Sequence, residues 1–324
     1  MSQTKSRYEY DPSLAVAIVA AALYTLVFAA TFLLWIRYKA WVWVVMVVAA
    51  AMESIGYIVR CLSTQKPDDK VLYVLSFALI ILAPVLMAAA CYIVFGRIVY
   101  HVVPTEARTT RLLWVPARWL TPIFVLCDIV ALLLQMIGAI KVTSINPGDA
   151  DAVSKANKGK KIAEIGVAVQ LVCFGLFSII AVRFNFTSKR FIGTFDANVS
   201  GAREGKYFAM QEGGRKLNKN WQTILHVTNL TSVLILIRSV YRMVDFALGR
   251  SGYTETHEWW YVHVNQSLSF SPSLPTSFPL TKIDRSSMYV FDTLVIFPVL
   301  VCFVIWHPGR YLPYLGFRIP RAAR

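Results

Sequence analysis

Seven stretches of this 324-residue chain stay apolar for about 20 residues at a time, and no other feature limits the fold so sharply. A helix of that length rises through the hydrocarbon core of a bilayer, whose lipid offers the backbone no hydrogen bonds, so only helices and closed barrels can cross it. A barrel requires alternating segments of about ten residues, whereas these runs are continuous. The expected fold class is therefore all-α, a polytopic membrane protein with seven transmembrane helices. The expected spans are Leu14 to Ile36, Ala40 to Val59, Val71 to Phe95, Trp119 to Ile140, Ile162 to Val182, Ile224 to Leu248 and Met288 to Trp306. With 56% hydrophobic and 16% charged residues, the composition falls outside the soluble globular range.

A formal charge of +15 invites a nucleic-acid reading, but the 33 Lys and Arg residues fall mainly between the apolar runs, where membrane topology places them. No nucleic-acid partner is expected. The connections after spans one, three and five, with the C-terminal tail, hold 18 of these cations against 13 on the opposite side. Positive residues stay inside, so the N-terminus is expected outside and the C-terminus in the cytosol. Residues 1–13 then form an external segment, 14–309 the membrane domain and 310–324 a basic cytosolic tail. The first span is expected to be retained, because no small-residue cleavage site follows it. The basic loop 183–220 lies beside cytosolic headgroups, and the loop 249–287 lies outside. Of the glycan sequons at Asn185, Asn198, Asn229 and Asn265, only Asn265 falls in an external connection. Cys61, Cys91, Cys127, Cys173 and Cys302 lack ligand spacing, so no metal is expected. Tryptophans gather at the span ends as interfacial anchors do: Trp41, Trp43, Trp114, Trp119, Trp221, Trp259, Trp260 and Trp306.

Ionisable groups at bilayer depth are costly and mark function by default. Here they form stripes. Glu53, Tyr57 and Arg60 share a face of the second span, Asp128 and Gln135 of the fourth, and Arg238, Arg242 and Asp245 of the sixth, while Asp292 begins the seventh. Such faces turn away from lipid, so the stripes are expected to meet in a polar core. Two readings follow. In one, the core passes an amphiphile's head, with Arg238 and Arg242 meeting a phosphate or carboxylate, and Glu53, Asp128 or Asp292 meeting an amine or carrying a proton. In the other, the charges pair to hold the bundle together. Glu164, Asp245 and Asp292 lie near span ends, within reach of water. Pro84, Pro122 and Pro298 lie inside or near the start of spans, where a missing donor can kink a helix, either as a hinge or as an ordinary kink tolerated by packing. No nucleotide-binding, hydrolase or metalloprotease motif occurs, so neither enzyme activity nor a cofactor is expected.

The polar positions also carry a family resemblance. Tyr8-Glu9-Tyr10-Asp11-Pro12, Glu53-Ser54-Ile55-Gly56-Tyr57 with Arg60, Ala83-Pro84, Ala89-Ala90 with Tyr92, Gly96-Arg97, and Phe124 with Asp128, Gln135 and Gly138 stand in order along the first half. Gln170, Phe174-Gly175, Arg238, Arg242, Asp245, Gly252-Tyr253, His257-Glu258-Trp259, Tyr289-Val290-Phe291-Asp292 and His307-Pro308-Gly309 continue it. Nearly the whole chain thus resembles the fungal RTA-like, or lipid-translocating exporter, family. The resemblance implies a seven-span protein of a fungal plasma or internal membrane, whose partners are membrane lipids and an amphiphilic substrate such as a sphingoid long-chain base or sterol analogue. It implies a transporter or flippase-like exporter conferring resistance to toxic lipids; the alternative is a seven-helix lipid-stress sensor. In similar proteins the His-Glu-Trp motif runs almost directly into Tyr-Val-Phe-Asp, whereas 27 residues separate Tyr261 from Tyr289 here. The in-frame, low-complexity segment 262–287 is read as a retained intron or, if translated, as an external loop.

Overall fold

The computed structural model describes residues 14–65, 69–103, 114–143, 152–191, 220–248 and 287–312. Seven helices carry these residues: α1 (Leu14–Tyr38), α2 (Val44–Gln65), α3 (Lys70–Val102), α4 (Ala117–Thr143), α5 (Ala152–Thr187), α6 (Trp221–Leu248) and α7 (Ser287–Ile305). All seven are long and apolar enough to cross a membrane. Most outrun the sequence-based spans, because hydropathy stops at the first charges while helical hydrogen bonding continues past them. At 1.5 Å per residue the 36 residues of α5 rise about 54 Å, so its Lys155 to Lys161 turn projects beyond the ~30 Å hydrocarbon layer. The supposed loop from Arg183 accordingly starts late, since α5 runs to Thr187 and a 3-10 turn continues to Phe191.

Contacts at both ends fix the alternation of the helices. Tyr24 of α1 donates to the Thr293 carbonyl near the start of α7, and Tyr38 at the end of α1 stacks on His307 just past α7. The end where α1, α3, α5 and α7 begin is called the N-side, and the other end the C-side. Helix α3 is central, touching α2, α4, α5 and α6. Lipid-facing surfaces are apolar, as Leu26, Leu33, Leu126 and Val172 illustrate, whereas Glu53, Arg60, Asp128 and Arg238 are buried.

Small residues set the tightest seam. A Cβ on Gly138 of α4 would lie 2.6 Å from the Ala163 nitrogen of α5, and one on Gly166 would lie 2.8 Å from the Ala131 carbonyl. Such close backbone approach supplies packing where lipid offers no hydrophobic drive. At the C-side, α1 closes with Lys39 at φ 48, in the left-handed region usually left to glycine. The His307-Pro308-Gly309 turn lies against this end: Gly309 donates to His307 Nδ1, and Arg310 Nε donates to the Tyr38 hydroxyl at 2.7 Å. The tryptophan reading needs one correction. Trp41, Trp114 and Trp119 are exposed at span ends, but Trp43 and Trp221, each 1% exposed, are packed inside the bundle.

Candidate functional site

The spacing of four and three that unites Glu53, Tyr57 and Arg60 places them on the inward face of α2, where all three are buried. Glu53 is at mid-span and the other two lie towards the N-side. Tyr57 stacks on Tyr24 of α1, with ring centroids 4.9 Å apart, and its hydroxyl is hydrogen-bonded to Thr293 Oγ1 of α7. Beside them Thr25 Oγ1 meets Ser54 Oγ at 2.8 Å and bridges α1 to α2. Arg238 of α6 is buried in the same half of the bundle, where its Nη2 donates to the Ile80 carbonyl of α3 at 3.2 Å. Polar groups of α1, α2, α6 and α7 thus gather from mid-span towards the N-side of the interior, those of α1, α2 and α7 in direct contact.

On the lipid side of this stripe, a groove of about 540 Å³ opens between α1 and α2, lined by Ile18, Ala21, Leu26, Ala29 and Ile58, with Thr25 at its wall. The alanines make it, since short side chains leave room between two helices. Its surface is almost wholly apolar, and the Thr25–Ser54 pair stands between it and the interior.

Asp128 and Gln135 do not join this stripe. Asp128 faces α3, where its Oδ2 accepts from the Tyr92 hydroxyl at 2.9 Å; its Oδ1 is buried with no hydrogen-bond partner among the described residues. Gln135 turns to α5, donating from Nε2 to Gln170 Oε1 at 3.0 Å inside the small-residue seam. The single core expected from the sequence is therefore divided among helix interfaces. Around Tyr92 the C-side half fills with aromatic rings: Phe95, Phe124, Phe174, Phe177 and Phe184 make edge, tilted or stacked contacts at centroid distances of 4.6 to 5.9 Å. Arg242 lies half-buried one turn beyond Arg238. Asp245 and Asp292 are on α6 and α7, but their side chains lie outside the described residues, as does Asn265. Glu164 forms a half-buried i,i+4 pair with Lys160, at 3.7 Å.

Sequence reasoning passed over Tyr24, Thr25 and Thr293 as site residues. Their signal was faint: single polar groups in otherwise apolar helices, with no charge to flag them. Tyr92 and Gln170 stood among the resemblance motifs but had no partner until the helices were packed.

Buried polar groups enclosed by seven helices with apolar outer faces define an integral membrane protein. The chain belongs to the RTA1-like family: the family model described as RTA1 like protein matches residues 46–271. It is 30% identical over 209 residues to Protoporphyrin uptake protein 1 of Saccharomyces cerevisiae, covering 64% of this chain and 58% of that protein. It is 23% identical over 296 residues to the Probable lipid transporter atnI of Emericella nidulans, covering 88% and 63%. To the Sphingoid long-chain base transporter RSB1 of Saccharomyces cerevisiae it is 23% identical over 240 residues, covering 68% and 59%. The chain thus spans 58 to 63% of the length of these relatives. No solved structure matches it.

Proposed function

We propose that this protein is a transporter or flippase-like exporter that moves amphiphilic lipids, such as sphingoid long-chain bases or sterol analogues, across a fungal plasma membrane. The observation that carries the reading is the one-sided interior, with polar groups at bilayer depth on the N-side and packed aromatic rings on the C-side. A charged headgroup at that depth needs hydrogen-bond and charge partners, because ions are poorly solvated by hydrocarbon. Glu53, Tyr57, Arg60 and Arg238 supply them, while the groove between α1 and α2 keeps the tail in an apolar setting. Asp128, set apart from this stripe against Tyr92 and with one buried carboxylate oxygen still open, would carry a coupling proton while the stripe meets the headgroup. Arg242 extends the route towards the N-side, the end of the bundle at which the sequence also places Asp245 and Asp292. In this reading the N-terminus is external and the C-terminus cytosolic, no cofactor is used, and the relatives named as transporters support movement over catalysis. The segment 262–287 is read as a retained intron; a mature transcript that contains it would overturn that reading and leave the external loop as the alternative.

The test is movement of a fluorescent sphingoid base across proteoliposomes containing the full chain, with insertion checked in parallel. Transport above empty vesicles, lowered about tenfold or more in Glu53→Gln, is expected. Binding of the base without movement, by correctly inserted protein, would replace the carrier with the lipid-stress sensor.

A further inference from the structure

Pro84 lies inside α3 and has no backbone N–H, so the carbonyl four residues earlier receives no helical hydrogen bond from it. That carbonyl belongs to Ile80, whose side chain is 3% exposed. In lipid a freed backbone acceptor must find a donor on a neighbouring element. The donor comes from α6: the Arg238 guanidinium, itself 6% exposed, reaches across to the Ile80 carbonyl at 3.2 Å. The same residue is pressed from a third helix, because a Cβ on Gly56 of α2 would lie 2.9 Å from Ile80 Cγ1 and 3.5 Å from the Ile80 nitrogen.

We infer that Arg238 is a positioning residue that closes the backbone gap opened by Pro84 and so latches this point of α3 to α6. Because Gly56 seats α2 on Ile80, the latch also sets the register of the α2 stripe, one turn either side of Gly56, against the α6 stripe. Any movement of the N-side part of α3 about Pro84 must break or carry this bond. An arginine suits the task better than a hydroxyl: its long, always-charged fork spans the gap between helices, and it can give one donor to the backbone while keeping others for the stripe.

The inference does not depend on transport and is tested without a substrate, by thermal melting of the detergent-solubilised full chain followed by size-exclusion fluorescence. Arg238→Ala in the native background is expected to lower the melting temperature by roughly 5 °C, and Arg238→Lys, which retains a cationic donor, by less. In the Pro84→Ala background, residue 84 has an N–H to give Ile80, so adding Arg238→Ala should lower melting by less than about half as much. If Arg238→Ala yields no folded monomer, its reappearance in Pro84→Ala/Arg238→Ala supports the latch, and its absence from both backgrounds overturns it. Equal drops in the two backgrounds would also overturn it and leave Arg238 as a group serving the stripe alone.

Discussion

The two halves of the bundle interior are built from opposite materials. Towards the N-side, α1, α2, α6 and α7 contribute hydroxyls, a carboxylate and two guanidinium groups around Tyr24, Tyr57 and Thr293. Towards the C-side, α3, α4 and α5 contribute interlocked rings, with Trp43 against Phe303 continuing the aromatic packing to α2 and α7. Rings fill space and cost nothing to desolvate, so they close a membrane protein rigidly. Polar groups at the same depth hold together less well than their number suggests, since interhelical hydrogen bonds in membranes average about 0.6 kcal/mol. The difference teaches that the C-side half supplies packing stability, while the N-side half holds the polar groups on which the proposed route rests.

That division can be broken by substitution. Phe177 touches Tyr92, Phe95, Phe124 and Phe174 and has no exposed surface, so Phe177→Ala should cost about 3 to 5 kcal/mol and abolish the monodisperse peak on size exclusion. Survival of that variant with an unchanged melting temperature would end the claim that the aromatic half carries the fold. Tyr92→Phe strips Asp128 of its donor and leaves a buried carboxylate, at a cost of about 1 to 3 kcal/mol in melting. Asp128→Asn should recover part of this loss in the double variant, because the uncompensated charge is gone.

Gly138→Ala sharpens the comparison from the seam between α4 and α5. Its new methyl would fall 2.6 to 2.8 Å from Ala163 and Gly159, so the helices must part at about 1 to 2 kcal/mol, read as lowered melting. On the polar side Tyr57→Phe should move melting by only about 0.6 kcal/mol while slowing transport in vesicles by severalfold, the reverse of the aromatic substitutions. Smallest of all, Lys160→Ala breaks a partly exposed i,i+4 pair and should shift melting by less than about 0.5 kcal/mol.

Part of the site could be read along the chain and part could not. The α2 stripe was legible because spacing alone puts Glu53, Tyr57 and Arg60 on one face, and lipid forbids that face from turning outward. Asp128 and Gln135 follow the same rule and are also turned inward, yet each meets a different helix. Periodicity says which way a residue faces within its own helix and nothing about who stands opposite. Pro84 and Arg238 were each visible as singular residues, 154 positions apart, with nothing in the sequence to join them.

By itself the sequence determined that this is a seven-span helical membrane protein with polar positions set in stripes, because hydropathy and helical period are sums over neighbours in the chain. Only the tertiary structure decided that Tyr92 holds Asp128, that Gln135 pairs with Gln170, that Trp43 and Trp221 are core, and that Arg238 reaches the carbonyl freed by Pro84. Those contacts depend on how each helix is rotated, how deep it sits and which helix lies beside it, and all three are settled by packing between helices far apart in sequence.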